Sequence, residues 1–105
     1  MSKPKRPAHP GRILKQEFME PARISAYRLA KAAGLSQTLI GGILHGKRGI
    51  TAETALRLER VLGVSAKTWL NLQSLYDLEM AQEETGEAIR QTTRKLDLRN
   101  SVATA

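Results

Sequence analysis

Residues 25–46 read Ser-Ala-Tyr-Arg-Leu-Ala-Lys-Ala-Ala-Gly-Leu-Ser-Gln-Thr-Leu-Ile-Gly-Gly-Ile-Leu-His-Gly, and Lys47 and Arg48 follow at once. Apolar residues at Leu29, Ala33, Leu35, Ile40 and Ile43 predict two short helices joined by a Gly-Leu-Ser turn. Where two helices cross steeply, the contact residue on the first must be small and the turn must accept positive φ. Ala30 and Gly34 meet those two demands. The layout is that of a helix-turn-helix.

Both helix starts use a device that recurs downstream: an aliphatic residue, then Ser or Thr, then a second apolar residue five positions after the first. It is a hydrophobic staple around an N-cap. The chain shows it as Ile24-Ser25 with Leu29, Leu35-Ser36 with Ile40, Ile50-Thr51 with Ala55, and Val64-Ser65 with Trp69. Gly34, Gly46 and Gly63 stand where left-handed C-terminal caps belong. Upstream, His9-Pro10-Gly11 opens a segment whose Leu14 and Phe18 share a face, and Pro21 is expected to close it. The predicted fold is all-α, with five helices between about residues 10 and 82 and no strand signal.

A chain of 105 residues and 11.6 kDa allows one domain with a modest core, which dimerisation would supplement. We divide it into a basic flexible arm (1–8), a helix-turn-helix domain with its dimerisation helix (9–82) and a C-terminal tail, partly helical or disordered (83–105). Cysteine is absent, so neither a disulfide framework nor a thiolate metal site is available. The basic start Lys3-Pro4-Lys5-Arg6-Pro7 precedes no apolar run of signal-peptide or membrane-spanning length, so a cytoplasmic protein without membrane contact is expected.

Charge is divided unevenly. Residues 1–76 carry 13 Lys and Arg against 4 Asp and Glu, net +9, whereas residues 77–105 carry 4 against 6, net −2. A basic folded part favours a polyanion through phosphate neutralisation and counterion release. Charge alone leaves RNA and duplex DNA equally open; the helix-turn-helix decides for DNA.

Residues 9–82, about 70% of the chain, resemble the HigA family of antitoxins, also called virulence-associated protein I, within the phage-repressor-like XRE helix-turn-helix superfamily. The resemblance rests on His9-Pro10-Gly11 with Ile13-Leu14 and Glu17-Phe18, on Leu29-Ala30 and Gly34, and on Gly46-Lys47-Arg48 with Ile50-Thr51. It continues through Thr54-Ala55-Leu56-Arg57-Leu58, Gly63, Trp69-Leu70-Asn71-Leu72-Gln73 and Tyr76-Asp77-Leu78. It implies a bacterial homodimer that binds an inverted repeat in its own promoter and neutralises a RelE-like (HigB-like) ribonuclease toxin of a type II toxin-antitoxin system. A solitary repressor of the same family, lacking a toxin partner, is the alternative.

In such a motif the second helix lies in the major groove with its first turn facing base edges. Gln37 and Thr38 are therefore the expected base readers, because Gln presents donor and acceptor together to adenine and Thr adds a methyl for thymine. Leu39 either joins them or packs at the core edge. Phosphate contacts are expected from Ser25, Arg28, Ser36, Lys47, Arg48 and Thr51. Ser36 reads equally as a pure cap, and Arg28, with Lys31, as a solvated helix face. Gly41 and Gly42 are unusual inside such a helix: either it tightens only on packing and binding, or the glycines admit a close backbone approach. The arm with Lys3, Lys5 and Arg6 either follows the adjacent groove or is disordered.

Trp69, Leu72, Leu75 and Tyr76 form the expected dimer surface, unless that face only closes the monomer core. Two recognition helices would then stand about 34 Å apart. Beyond them Asp77, Glu79, Glu83, Glu84 and Glu87 make an acidic run, read either as a surface for a basic toxin or as a solvated helix end, with Gly86 expected to interrupt the helix. Residues 100–105 are small and polar enough for disorder.

Enzyme chemistry finds no footing. His9 and His45 are far apart in sequence, and the chain has no His-Glu-x-x-His motif and no glycine-rich phosphate loop, so neither a catalytic site nor a cofactor is expected. His45 fits a helix end, where it meets the dipole favourably. A third class, an interaction module that has lost DNA binding, would bind DNA without preference for its own promoter.

Overall fold

His9 starts the first helix with its side chain: Nδ1 accepts the Gly11 amide at 2.9 Å, and Pro10 sits where the helix needs no amide proton. A computed structural model describes residues 8–99. Helix α1 runs through Pro10–Ile13, a π-helical stretch Leu14–Met19, and Glu20–Ala22. The expectation that Pro21 closes this helix is corrected. A proline ring inside a helix presses on the carbonyl four residues back and supplies no donor. The π turn, in which the Glu20 amide reaches the Lys15 carbonyl, widens the helix just before that point. The helix runs one residue past Pro21 and ends at Ala22, with Arg23 held in the left-handed region at φ 56° and the Ile24 amide returning to the Met19 carbonyl at 2.9 Å.

All four N-caps form. Ser25, Ser36, Thr51 and Ser65 adopt extended backbone, and their hydroxyl oxygens accept the amides of Arg28, Leu39, Thr54 and Thr68 at 3.0–3.3 Å. They start α2 (Ala26–Ala33), α3 (Gln37–Leu44), α4 (Ala52–Leu62) and α5 (Ala66–Thr92). Between α2 and α3, Gly34 takes φ 71° and the Leu35 amide bonds the Ala30 carbonyl at 2.9 Å, which closes the turn with a six-to-one bond. Among the described residues the fold is therefore all-α, with five helices.

Each helix gives side chains to one core: Leu14 and Met19 from α1, Leu29 from α2, Ile40 and Ile43 from α3, Leu58 from α4, and Trp69 from α5. Helix α1 packs on α3 and α5, and α4 packs on α2 and α5, so the helix-turn-helix is buttressed from both sides. Trp69 is 0% exposed, edge-on to Phe18 with ring centroids 5.4 Å apart. Its indole N–H has no hydrogen-bond partner among the described residues, so its contribution rests on apolar packing.

Helix α5 does not break at Gly86 but continues to Thr92. An interior glycine costs only about 1 kcal/mol relative to alanine. The Gln82 and Arg90 side chains flank the position, each 3.7 Å from where a Cβ would stand, and helix propagates from both sides. The second half of α5 is held by its own neighbours, among them Thr85 Oγ1 donating to the Ala81 carbonyl and an Arg90–Glu87 ion pair. The arm cations Lys3, Lys5 and Arg6 and residues 100–105 lie outside the described residues. Among the described residues no helix is long and apolar enough to cross a membrane.

Candidate nucleic-acid interface

The first turn of α3 projects from the domain. Gln37 and Thr38 are exposed there, whereas Leu39 is half-buried, packs against the core, and lines a groove with Leu35, Arg48 and Thr51. Of the three expected base readers, two present their polar groups outward and the third is occupied with packing.

Of the residues expected at phosphates, Ser36 caps this turn, and Arg48 and Thr51 line the groove beside Leu39. Ser25 and Ser36 accept helix amides through Oγ, which leaves each hydroxyl proton to donate outward. Thr51 differs, since its hydroxyl donates to Thr54 Oγ1 at 3.3 Å while accepting the Thr54 amide. Arg28, Lys47 and Arg48 are all exposed. Lys47 and Arg48 lie on the short segment after α3, and both their amides bond the Gly42 carbonyl, at 2.8 and 3.1 Å. His45 closes α3 with its Nδ1–H donating to the Gly41 carbonyl at 2.8 Å.

The two glycines of α3 have different explanations. A Cβ at Gly42 would stand 2.9 Å from Arg48 Cδ and 3.0 Å from Cγ, so Gly42 makes room for the Arg48 stem. A Cβ at Gly41, one turn after Gln37, meets nothing within 4 Å. Gly41→Ala is therefore expected to stabilise the chain by about 0.5–1 kcal/mol through helix propensity. Gly42→Ala should gain less, because the Arg48 stem must move. Urea denaturation of the two variants beside the parent chain checks the order; equal gains would contradict the Arg48 contact.

Residues not read as site residues in the sequence support this surface. Arg57 pairs with Glu53 at 3.0 Å and donates to the Ala33 carbonyl at 3.0 Å, tying α4 to the turn between α2 and α3. Gln73 Oε1 accepts the Ile50 amide at 2.8 Å, and His9 stacks edge-on against Tyr76 with ring centroids 4.9 Å apart. Burial holds the His9 imidazole below its ordinary value of 6.5, against the upward pull of the Arg48 carbonyl and the Asp77 carboxylate. Only a generic signal marks Arg57, Gln73 and His9 in the sequence, since they belong to the blocks that carry the family resemblance; Tyr76 is expected there only as a dimer residue.

The expected dimer residues separate. Trp69 is enclosed in its own core and offers no surface to a second copy, which corrects its assignment. Leu75 is 59% exposed, and Leu72 and Tyr76 are half-buried. Further along α5, Leu78 is 64% and Ile89 50% exposed. Among the described residues no group of His, Asp and Glu could hold a metal ion.

The helix-turn-helix family model matches residues 15–69. Virulence-associated protein I of Dichelobacter nodosus is 50% identical over 76 residues, spanning 72% of this chain and 70% of that protein. Antitoxin HigA-1 of Vibrio cholerae is 36% identical over 74 residues, 70% of each chain. Among solved structures, the Pseudomonas aeruginosa antitoxin HigA with the higBA promoter superposes with a TM-score of 0.84 at 40% identity, covering 88% of this chain and all of that one.

Proposed function

This chain belongs to the helix-turn-helix family that includes virulence-associated protein I and the HigA antitoxins, and on that premise we propose that it is a dimeric, operator-binding antitoxin that represses its own promoter. The observation that supports the reading is the exposed first turn of α3, with Gln37 and Thr38 in solvent after the Ser36 cap and with Lys47 and Arg48 exposed on the segment that follows the helix. In this reading base readers and phosphate contacts share one surface. Gln37 and Thr38 read base edges in the major groove. Ser25, Ser36, Arg28, Lys47 and Arg48 take the phosphates on either side, with Thr51 marginal because its hydroxyl is already engaged.

Two copies joined through Leu72, Leu75 and Tyr76 would set their α3 helices about one DNA turn apart and make the operator an inverted repeat. The toxin partner in this reading is a small RelE-like ribonuclease, and the acidic second half of α5 offers a surface for a basic protein.

Co-expression tests the antitoxin half. The small reading frame adjacent to this gene is expected to arrest growth when induced alone in a bacterial host, and this chain to relieve the arrest and co-purify with the product. No arrest, or arrest that persists, would leave a stand-alone repressor.

A further inference from the structure

The segment carrying Lys47 and Arg48 is too short to have a core of its own, and the Gly42 carbonyl, which accepts both their amides, ties only its start to α3, so the ends of residues 46–50 need further support. Two α5-anchored side chains supply it. The Ile50 amide has no helical partner and bonds Gln73 Oε1 at 2.8 Å, across 23 residues of sequence. The Gln73 amide is itself oriented, because Nε2 donates to Asp77 Oδ1 at 2.9 Å. Gly49 passes so close that a Cβ there would meet the Gln73 amide at 3.1–3.2 Å.

At the other end of the segment, His9 is oriented by the Gly11 amide, which donates to Nδ1 at 2.9 Å. The ring rests on Tyr76 and lies about 4 Å from where a Gly46 Cβ would stand. Lys47 and Arg48 thus sit between two clips, both braced on one turn of α5.

We propose that Gln73 and His9 are positioning residues for DNA binding, holding residues 46–50 so that Lys47 and Arg48 meet the phosphates already in place. The inference rests on the operator-binding reading above. A segment ordered before binding loses little conformational freedom on binding; one released from its clips must be ordered at the expense of affinity. The same turn of α5 bears Tyr76 of the dimer face, so the clips also tie the placement of the cations to the pairing of the two copies.

The test exchanges the hydrogen-bond partners. In the full chain, Gln73→Leu removes the acceptor for Ile50. The double change Gln73→Glu with Asp77→Asn swaps donor and acceptor while keeping both bonds and the net charge. On a duplex from the chain's own promoter, folded Gln73→Leu is expected to bind roughly tenfold more weakly than the parent, with a salt slope flatter by about one unit as phosphate contacts are lost. The double variant should return to within about threefold of the parent, on the same fold-change scale.

Parental affinity and slope in folded Gln73→Leu would overturn the proposal, as would an equal loss in the double variant. A parent chain that ignores the duplex overturns the operator-binding reading instead. Should Gln73→Leu not fold, hydrogen exchange of the parent decides: an Ile50 amide protected at least tenfold over an open loop supports the clip, and exchange at the open-loop rate overturns it.

Discussion

Gly11→Ala is expected to cost at least about 3 kcal/mol, enough to leave much of the population unfolded. A Cβ on residue 11 would fall almost onto the Ile43 carbonyl oxygen and 2.6 Å from the carbonyl carbon. The obstacle is backbone in the last turn of α3, so no side chain can swing aside to relieve it. Relief requires α1 to lift off α3, which opens the core that Leu14, Ile43 and Trp69 share, all fully buried. Against a total stability of about 5–15 kcal/mol, and at the lower end for so small a domain, that loss is large. Urea denaturation checks it, and a variant within about 1 kcal/mol of the parent would show that α1 does not approach α3 so closely. The same approach orients α3, so a folded remnant of Gly11→Ala should also bind DNA poorly.

The second large effect concerns reading rather than folding. Gln37→Ala is expected to cost about 1–3 kcal/mol at one operator position and to relax the base preference there. Lys47→Ala should weaken every duplex alike and flatten the slope of log K against log salt by about one unit. Gln37 is exposed on the first turn of α3 and is not part of the core, so its loss leaves stability nearly unchanged. Affinities for an operator series substituted one position at a time separate the two. Uniform losses for both variants would remove Gln37 from base reading.

What was legible in the sequence is what is decided within a few residues. Four staples predicted four helix starts, and each serine or threonine caps the amide three residues on, because the geometry of an N-cap is local. Gly34 and Gly63 end their helices at positive φ for the same reason. The features that escaped are long-range or are balances of small terms. Gln73 reaches Ile50 across 23 positions, and Arg57 reaches Ala33 across 24. No periodicity records such a bond.

His9-Pro10-Gly11 was recognisable as a helix start, but the reason for its glycine lies in the distant Ile43 carbonyl. Pro21 and Gly86 were overrated as helix breakers: a π turn accommodates the first, and propagation from both sides carries the helix through the second. Trp69 shows the limit of a face argument. Its spacing with Leu72 and Leu75 is correct, yet the wheel does not say how deep each residue lies, and Trp69 is spent on its own core while Leu75 stays in solvent.

Titrating the full chain onto a duplex from upstream of its own coding sequence, beside a shuffled duplex of the same composition, at several salt concentrations, tests the central claim most directly. Specific operator recognition predicts binding of the promoter about 10³-fold tighter than of the shuffled control, with two chains per inverted repeat. Equal affinity for both duplexes, falling in parallel with salt, would contradict it and leave a basic helical domain that binds nucleic acid without reading it.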